Sequence, residues 1–243
     1  MRLGVLVAVA LLTLSSATVS AKGWSIDPPP GWQDITEGAA DVPAIAAARA
    51  QLEAAGGEHE LVVFAGPDGL VQIIYLTFSG KPEPAPLLNW EAGLRDSLAA
   101  AGTELSYQRR VDRDVVIVDE RMRAQDGAVM YVRSMAGIPG PGRLVTLGVT
   151  CAAPEATCAD VFASVTLDRT GFLPVGALGP SPPVKAVRDA QRSAQPLDID
   201  ERSGAYRAGA LVGRLLVVGL LVGLVVTLVR KRRRKRPASP PPA

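Results

Sequence analysis

The chain has 243 residues, 48% of them hydrophobic, with 26 basic and 24 acidic side chains, two cysteines and one histidine. That is room for one ordinary domain plus targeting segments, and a lone histidine leaves little for His-based catalysis or metal ligation. The net charge of +2 hides an asymmetry: between Lys22 and Arg207 stand 24 acidic against 17 basic residues, about −7, while residues 230–236 are all basic.

Residues 1–21 begin with Arg2, run apolar from Leu3 to Leu14 and end in Val19-Ser20-Ala21. This layout predicts a secretory signal peptide cleaved after Ala21. No cysteine lies there, so no N-terminal lipid anchor is expected. Trp24-Ser25-Ile26 predicts a short strand, closed by Pro28-Pro29-Pro30-Gly31, which neither helix nor central strand tolerates. A helix is predicted over 42–55, with Val42, Ile45 and Leu52 on one side and Gly56-Gly57 after it. Strands over 61–65 and 70–78 flank Gly66-Pro67-Asp68-Gly69, a hairpin turn in which Pro sets φ and Gly accepts positive φ. A second helix over 85–101 places Leu87, Trp90, Leu94 and Leu98 on one face. Four strands are expected over 104–109, 115–121, 129–135 and 143–150, then a short helix over 155–165 burying Val161, Phe162 and Val165. The fold class is therefore α+β, an antiparallel sheet covered by helices, within an extracytoplasmic domain over 22–171. Proline-rich residues 172–207 read as a stalk or linker, with a helical turn or two at most over 184–194. Residues 208–229 are almost wholly apolar and predict one C-terminal transmembrane helix, followed by a basic, proline-rich cytoplasmic tail over 230–243.

Trp24-Ser25-Ile26, Pro30-Gly31-Trp32-Gln33-Asp34, the strand–strand–helix order through Ala101 and the long meander ending in a helix resemble the PsbP-like α/β sandwich family. The likeness extends to the DcrB and LpqN types of bacterial surface protein and covers residues 23–167. It implies an extracytoplasmic binding or assembly module, with no catalytic residues to carry over. The chain departs from the lipoprotein members in lacking the lipid-modified cysteine and in having a C-terminal span.

His59 stands between Glu58 and Glu60. On a strand it points away from both carboxylates, so the three do not converge on a metal, and an exposed strand-entry histidine is expected. Asp112, Asp114, Asp119 and Glu120 invite comparison with paired hydrolytic carboxylates, yet Arg109, Arg110, Arg113, Arg121 and Arg123 are interleaved with them. Cross-strand charge pairing explains the pattern more simply. Cys151 and Cys158 lie on a strand–turn–helix path that brings two Cα atoms within the ~4.4–6.8 Å a disulfide needs. They lack the spacing of a redox pair and the company of other metal ligands, so a structural disulfide is expected. Gly209 with Gly213, and Gly219 with Gly223, are four-residue-spaced pairs that permit helix packing in a membrane. Arg214 sits between the pairs, and a span starting after it keeps only about 15 residues, short of the ~20 required, so it is expected to snorkel.

The seven basic residues Arg230, Lys231, Arg232, Arg233, Arg234, Lys235 and Arg236 abut the span, which assigns them to the anionic inner leaflet rather than to nucleic acid. Together these features predict a single-pass protein of the cytoplasmic membrane, its body outside, acting as a binding or accessory module without catalysis. Its expected partners are the membrane and an envelope protein or a second copy of the span; no cofactor or metal is expected. The alternative is an extracytoplasmic hydrolase using carboxylates near Asp112 to Glu120. No sortase-type Leu-Pro-x-Thr-Gly marks the tail for removal.

Overall fold

Strands that read as nearly continuous apolar runs must be covered on both faces, and this requirement shapes the molecule. The computed structural model describes residues 18–38, 42–124, 127–176, 178–191 and 199–217. The core of the expected signal, Gly219, Gly223 and the basic run 230–236 lie outside the described residues. The short strands β1 (Val19–Ala21), β2 (Trp24–Ile26) and β3 (Gln33–Asp34) precede helix α1 (Pro43–Ala55). β4 (His59–Ala65), β5 (Leu70–Ser79), helix α2 (Pro86–Ala99), β6 (Gly102–Asp112), β7 (Val115–Ala124), β8 (Val129–Gly140) and β9 (Arg143–Ala152) follow. Last come α3 (Glu155–Ser164), β10 (Thr166–Leu167), α4 (Lys185–Gln191) and a helix over 204–217, α5.

Seven strands form one sheet in the order β3-β4-β5-β9-β8-β7-β6, antiparallel throughout. Period-two alternation splits each strand between two cores. Leu61, Val63, Ile74, Leu76, Val118, Met122 and Val132 face α1, α2 and α5. Val62, Phe64, Ile73, Tyr75, Ile117, Leu147 and Val149 face β2 and α3. The expected α+β class therefore stands, with helices on both faces and a small sheet, β1-β2-β10, on the second. Val19–Ala21 supplies the edge strand of that small sheet. Cleavage after Ala21 would remove one outer strand and leave β2 paired with β10.

The β4–β5 hairpin forms where predicted, but not for the predicted reason. Neither Gly66 nor Gly69 has positive φ. A side chain at Gly66 would strike the Trp32 indole, and one at Gly69 the Ala152 carbonyl, so the glycines supply space rather than backbone freedom. At the β6–β7 turn Arg113 is, among the described residues, the non-glycine residue with positive φ, 56°. Arg169 grips this turn through Asp112 at 2.8 Å and Asp114 at 3.5 Å, and the Val175 amide donates to the Arg113 carbonyl.

The described residues of 172–207 lie against the domain and do not form a free stalk. The Leu173 amide donates to Ile138 O, Phe172 packs over Gly137, and Val175 and Leu178 join the helix-side core. The segment stays on the domain because α2 offers it charge partners. Asp96 accepts from the Lys185 amide, from Arg188 at 2.7 Å and from the Tyr206 hydroxyl at 2.6 Å. Arg95 Nη1 donates to Pro182 O, and Arg109 Nη2 to Gly179 O. Composition predicts a linker because these partners lie 70 to 110 residues away in the chain.

The first residues of the expected membrane span, 208–217, are packed on the domain. Ser203 caps α5 by accepting from the Tyr206 amide at 3.0 Å, and Glu83 accepts from the Ala205 amide. From there Ala208, Val212, Leu215 and Leu216 are buried in the domain core. A side chain on Gly209 would overlap the Trp90 carbonyl, and one on Gly93 the Tyr206 carbonyl, with Ala210 N at 2.9 Å. Gly209 and Gly213 thus let α5 approach α2 of the same chain. Arg214 points to solvent. Among the described residues no helix is long and apolar enough to cross a membrane.

Beneath α2 lies a buried charged group. Glu91, fully buried, accepts from Arg109 at 3.0 Å and from the Tyr107 hydroxyl. Arg95 stacks on Tyr107 and pairs with Glu104 at 2.8 Å. Glu120 faces the same side, and its Oε2 has no hydrogen-bond partner. Burial pushes its carboxyl up to about 8, with the Glu104 charge adding and Arg95 opposing.

Two outcomes follow for stability. Gly93→Leu forces α5 off α2 and should cost about 3 kcal/mol, read as a lowered urea midpoint. Glu120 is protonated in the folded chain and ionised in the unfolded one between its ordinary 4.5 and about 8. Stability from this group therefore falls as pH rises through that window and levels off above it. Glu120→Gln should match the parent near pH 4 and exceed it at pH 9 by a few kcal/mol, on the order of the shift itself. Equal stabilities at both pH values would refute the assignment.

Candidate functional site

On the α3 side of the sheet, β6, β7 and β8 run further than α3 covers, and their cross-strand pairs form two polar rungs. One runs Ser106, Arg121, Tyr131, Cys151; the other Gln108, Asp119, Arg133, Val149. α3 stands beside these rungs because Cys151 and Cys158 form the expected disulfide between β9 and α3, Cα atoms 5.6 Å apart. The result is a cleft of about 830 Å³, floored by the rungs and walled by Glu155, Ala159 and Phe162.

Asp119 accepts a two-pronged pair from Arg133, Nε at 2.6 Å and Nη2 at 3.0 Å, and a further bond from Arg110. Arg133 also donates to Phe162 O at 2.6 Å and stacks on the Phe162 ring at 4.9 Å. The Tyr131 hydroxyl donates to Glu155 at 3.1 Å. Burial and that bond raise its pKa. Arg121 lies 5.5 Å from the Tyr131 ring centroid and reaches Glu155 only at 4.0 Å, and its Nε is buried without a partner. Three guanidinium groups thus face two carboxylates, and Arg121 is the one with donors to spare. Such a surface recognises an anion flanked by an aromatic.

The carboxylates proposed for hydrolysis do not meet. Asp112 and Asp114 are held by Arg169 at the β6–β7 turn, Asp119 is enclosed by two arginines, and Glu120 points into the opposite face. Neighbours on a strand diverge, so the set lacks the facing geometry that acid–base hydrolysis requires. His59 is exposed at the first residue of β4, its Nδ1 3.2 Å from Gly57 O. Glu58 pairs with Lys22 and Glu60 accepts from the Trp24 indole.

Sequence reasoning gives Tyr131 and Arg133 no role and reads Phe162 only as a buried residue, whereas it is partly exposed at the cleft wall. The signal for the first two was the alternation itself, Tyr131-x-Arg133 opposite Asp119-x-Arg121, which places four polar side chains on one face of two adjoining strands.

No family model and no curated protein matches the chain. The solved structures similar to it include the following two. One is the solution structure of cyanobacterial PsbP (CyanoP) from Synechocystis sp. PCC 6803. It is 14% identical over 67% of this chain and 98% of that one, with a TM-score of 0.37. The other is a crystal structure from Bacteroides thetaiotaomicron VPI-5482, 14% identical over 63% of this chain and 49% of that one, with a TM-score of 0.31. Both likenesses are too low to carry an argument about ligand or partner, and neither is described as a DcrB- or LpqN-type protein.

Proposed function

We propose that this protein is a membrane-anchored extracytoplasmic binding module of PsbP-like architecture, without catalytic activity, whose cleft beside α3 takes an acidic segment of an envelope partner. The observation that carries this reading is Arg121, a half-exposed guanidinium with a buried Nε lacking any partner, set beside Tyr131 over a preformed cleft. A small ligand pocket would enclose its occupant; this cleft is open and lined by a sheet face, which suits a chain segment. Anchoring is supported by the apolar run 208–229 and the basic residues that follow it.

Binding of an Asp- and Glu-rich peptide to the full-length protein in detergent tests the cleft. Affinity should fall with added salt, and Arg121→Glu should lower it at least about tenfold. Lys81→Glu, outside the cleft, and His59→Ala should leave it unchanged. If Arg121→Glu binds as the parent does, the cleft is not the site.

A further inference from the structure

A hydrophobic run and a packed domain make competing claims on α5. Residues 208–229 are 22 in number, about 33 Å as a helix, enough for a hydrocarbon core of ~30 Å. Yet 208–217 are docked on the domain, and the twelve residues 218–229 alone reach only about 18 Å. Docked α5 and a full span exclude each other. The groove under α5 is also unlike a permanent core. Its floor is β5 and β9 at Gln72, Thr146, Gly148 and Thr150, with Val212 and Leu216 seated over Gly148. Gln72 Nε2 donates to Leu215 O at 3.0 Å and Thr150 to Leu216 O at 3.3 Å. Against these two bonds, Gln72 Oε1, Thr146 Oγ1 and the neighbouring Ser134 Oγ and Trp90 Nε1 are buried with no partner.

We propose that α5 is an exchangeable plug: it fills the groove between α2 and the sheet while the chain is off the membrane, and leaves it when 208–229 spans the bilayer. This rests on the anchoring reading above. Exchange is physically balanced because the apolar side chains of α5 are as well served by hydrocarbon as by the core, so leaving costs only what the groove itself exposes. Part of that cost is returned when water reaches the four unpaired polar groups. Opposing exchange is Arg214, the sole charge in 208–229, solvated when docked and about 9 Å below the membrane boundary when inserted.

Gly148→Cys with Val212→Cys provides the test, since a Cβ built on Gly148 lies 2.9 Å from Val212 Cγ1. Full-length protein made without membranes should form this second crosslink; failure to form it overturns the docked half of the proposal. Crosslinked protein is then mixed with phosphatidylcholine–phosphatidylglycerol vesicles, with and without reductant, and washed at alkaline pH. Reduced protein should stay with the vesicles and oxidised protein wash off at least tenfold more readily. If both stay, α5 is not needed for spanning and the exchange is wrong while the anchor stands. If both wash off, the anchoring reading itself fails and the exchange with it. In unlocked protein Arg214→Leu should raise the retained fraction, and no increase would remove the proposed opposition.

Discussion

The helical face of the molecule depends on one close approach, backbone against backbone, between Gly93 of α2 and Gly209 of α5. Any side chain at either position meets a carbonyl, so the two helices sit at a separation only glycine allows. That separation seats Trp90, Leu94 and Leu98 against Val212, Leu215 and Leu216 in one core. It also brings Tyr206 to Asp96, and Asp96 in turn holds Arg188 and the Lys185 amide. The proline-rich segment is thus fastened to α2 through the same few residues that admit α5.

The two faces of the sheet divide the work. On the helical face, Glu91 is sunk under α2 and paired inward with Arg109 and Tyr107, while Arg95 pairs with Glu104 at the edge. Buried pairs of this kind add little net stability but fix which partners can lie over them, and here they fix the path of residues 179–188. On the opposite face a disulfide substitutes for helix–helix packing: α3 is held at Cys158 and leaves the outer ends of β6 and β7 uncovered. Polar rungs left partly open to solvent there cost less in desolvation, which is why a half-exposed Arg121 is tolerated beside Tyr131.

Much of this was legible from residue pattern. The hairpin at 66–69, the helices α1 and α2 and the Cys151–Cys158 bridge follow from punctuation, periodicity and spacing, which are local properties. What escaped was long-range. Asp119 and Glu120 are adjacent in the chain and were grouped as one acidic cluster, although alternation sends them to opposite faces, one to Arg133 and the other beneath α2. The strand expected over 129–135 instead continues as β8 to Gly140, with the sharp reversal left to Pro141 and Gly142. Prolines at 180, 182 and 183 signal an absence of regular hydrogen bonding, and that is true of the segment; they say nothing about whether α2 supplies partners in its place.

Hydropathy alone does not place α5, because a protein core and a lipid tail are the same solvent to a leucine. What separates them is the pattern around the helix. Over 204–217 Arg207 and Arg214 recur at seven residues on the exposed side, a polar stripe two turns long, while Ala208, Val212 and Leu215 lie inward. The next position in that stripe is Leu221, and from 218 to 229 the sequence carries no charge at all. A helix with one polar stripe suits a domain surface, and one apolar all round suits burial or hydrocarbon. The change of character after Arg214 therefore marks where docking on this domain ceases to account for the sequence, and it falls within one turn of the last residue seen packed against the sheet.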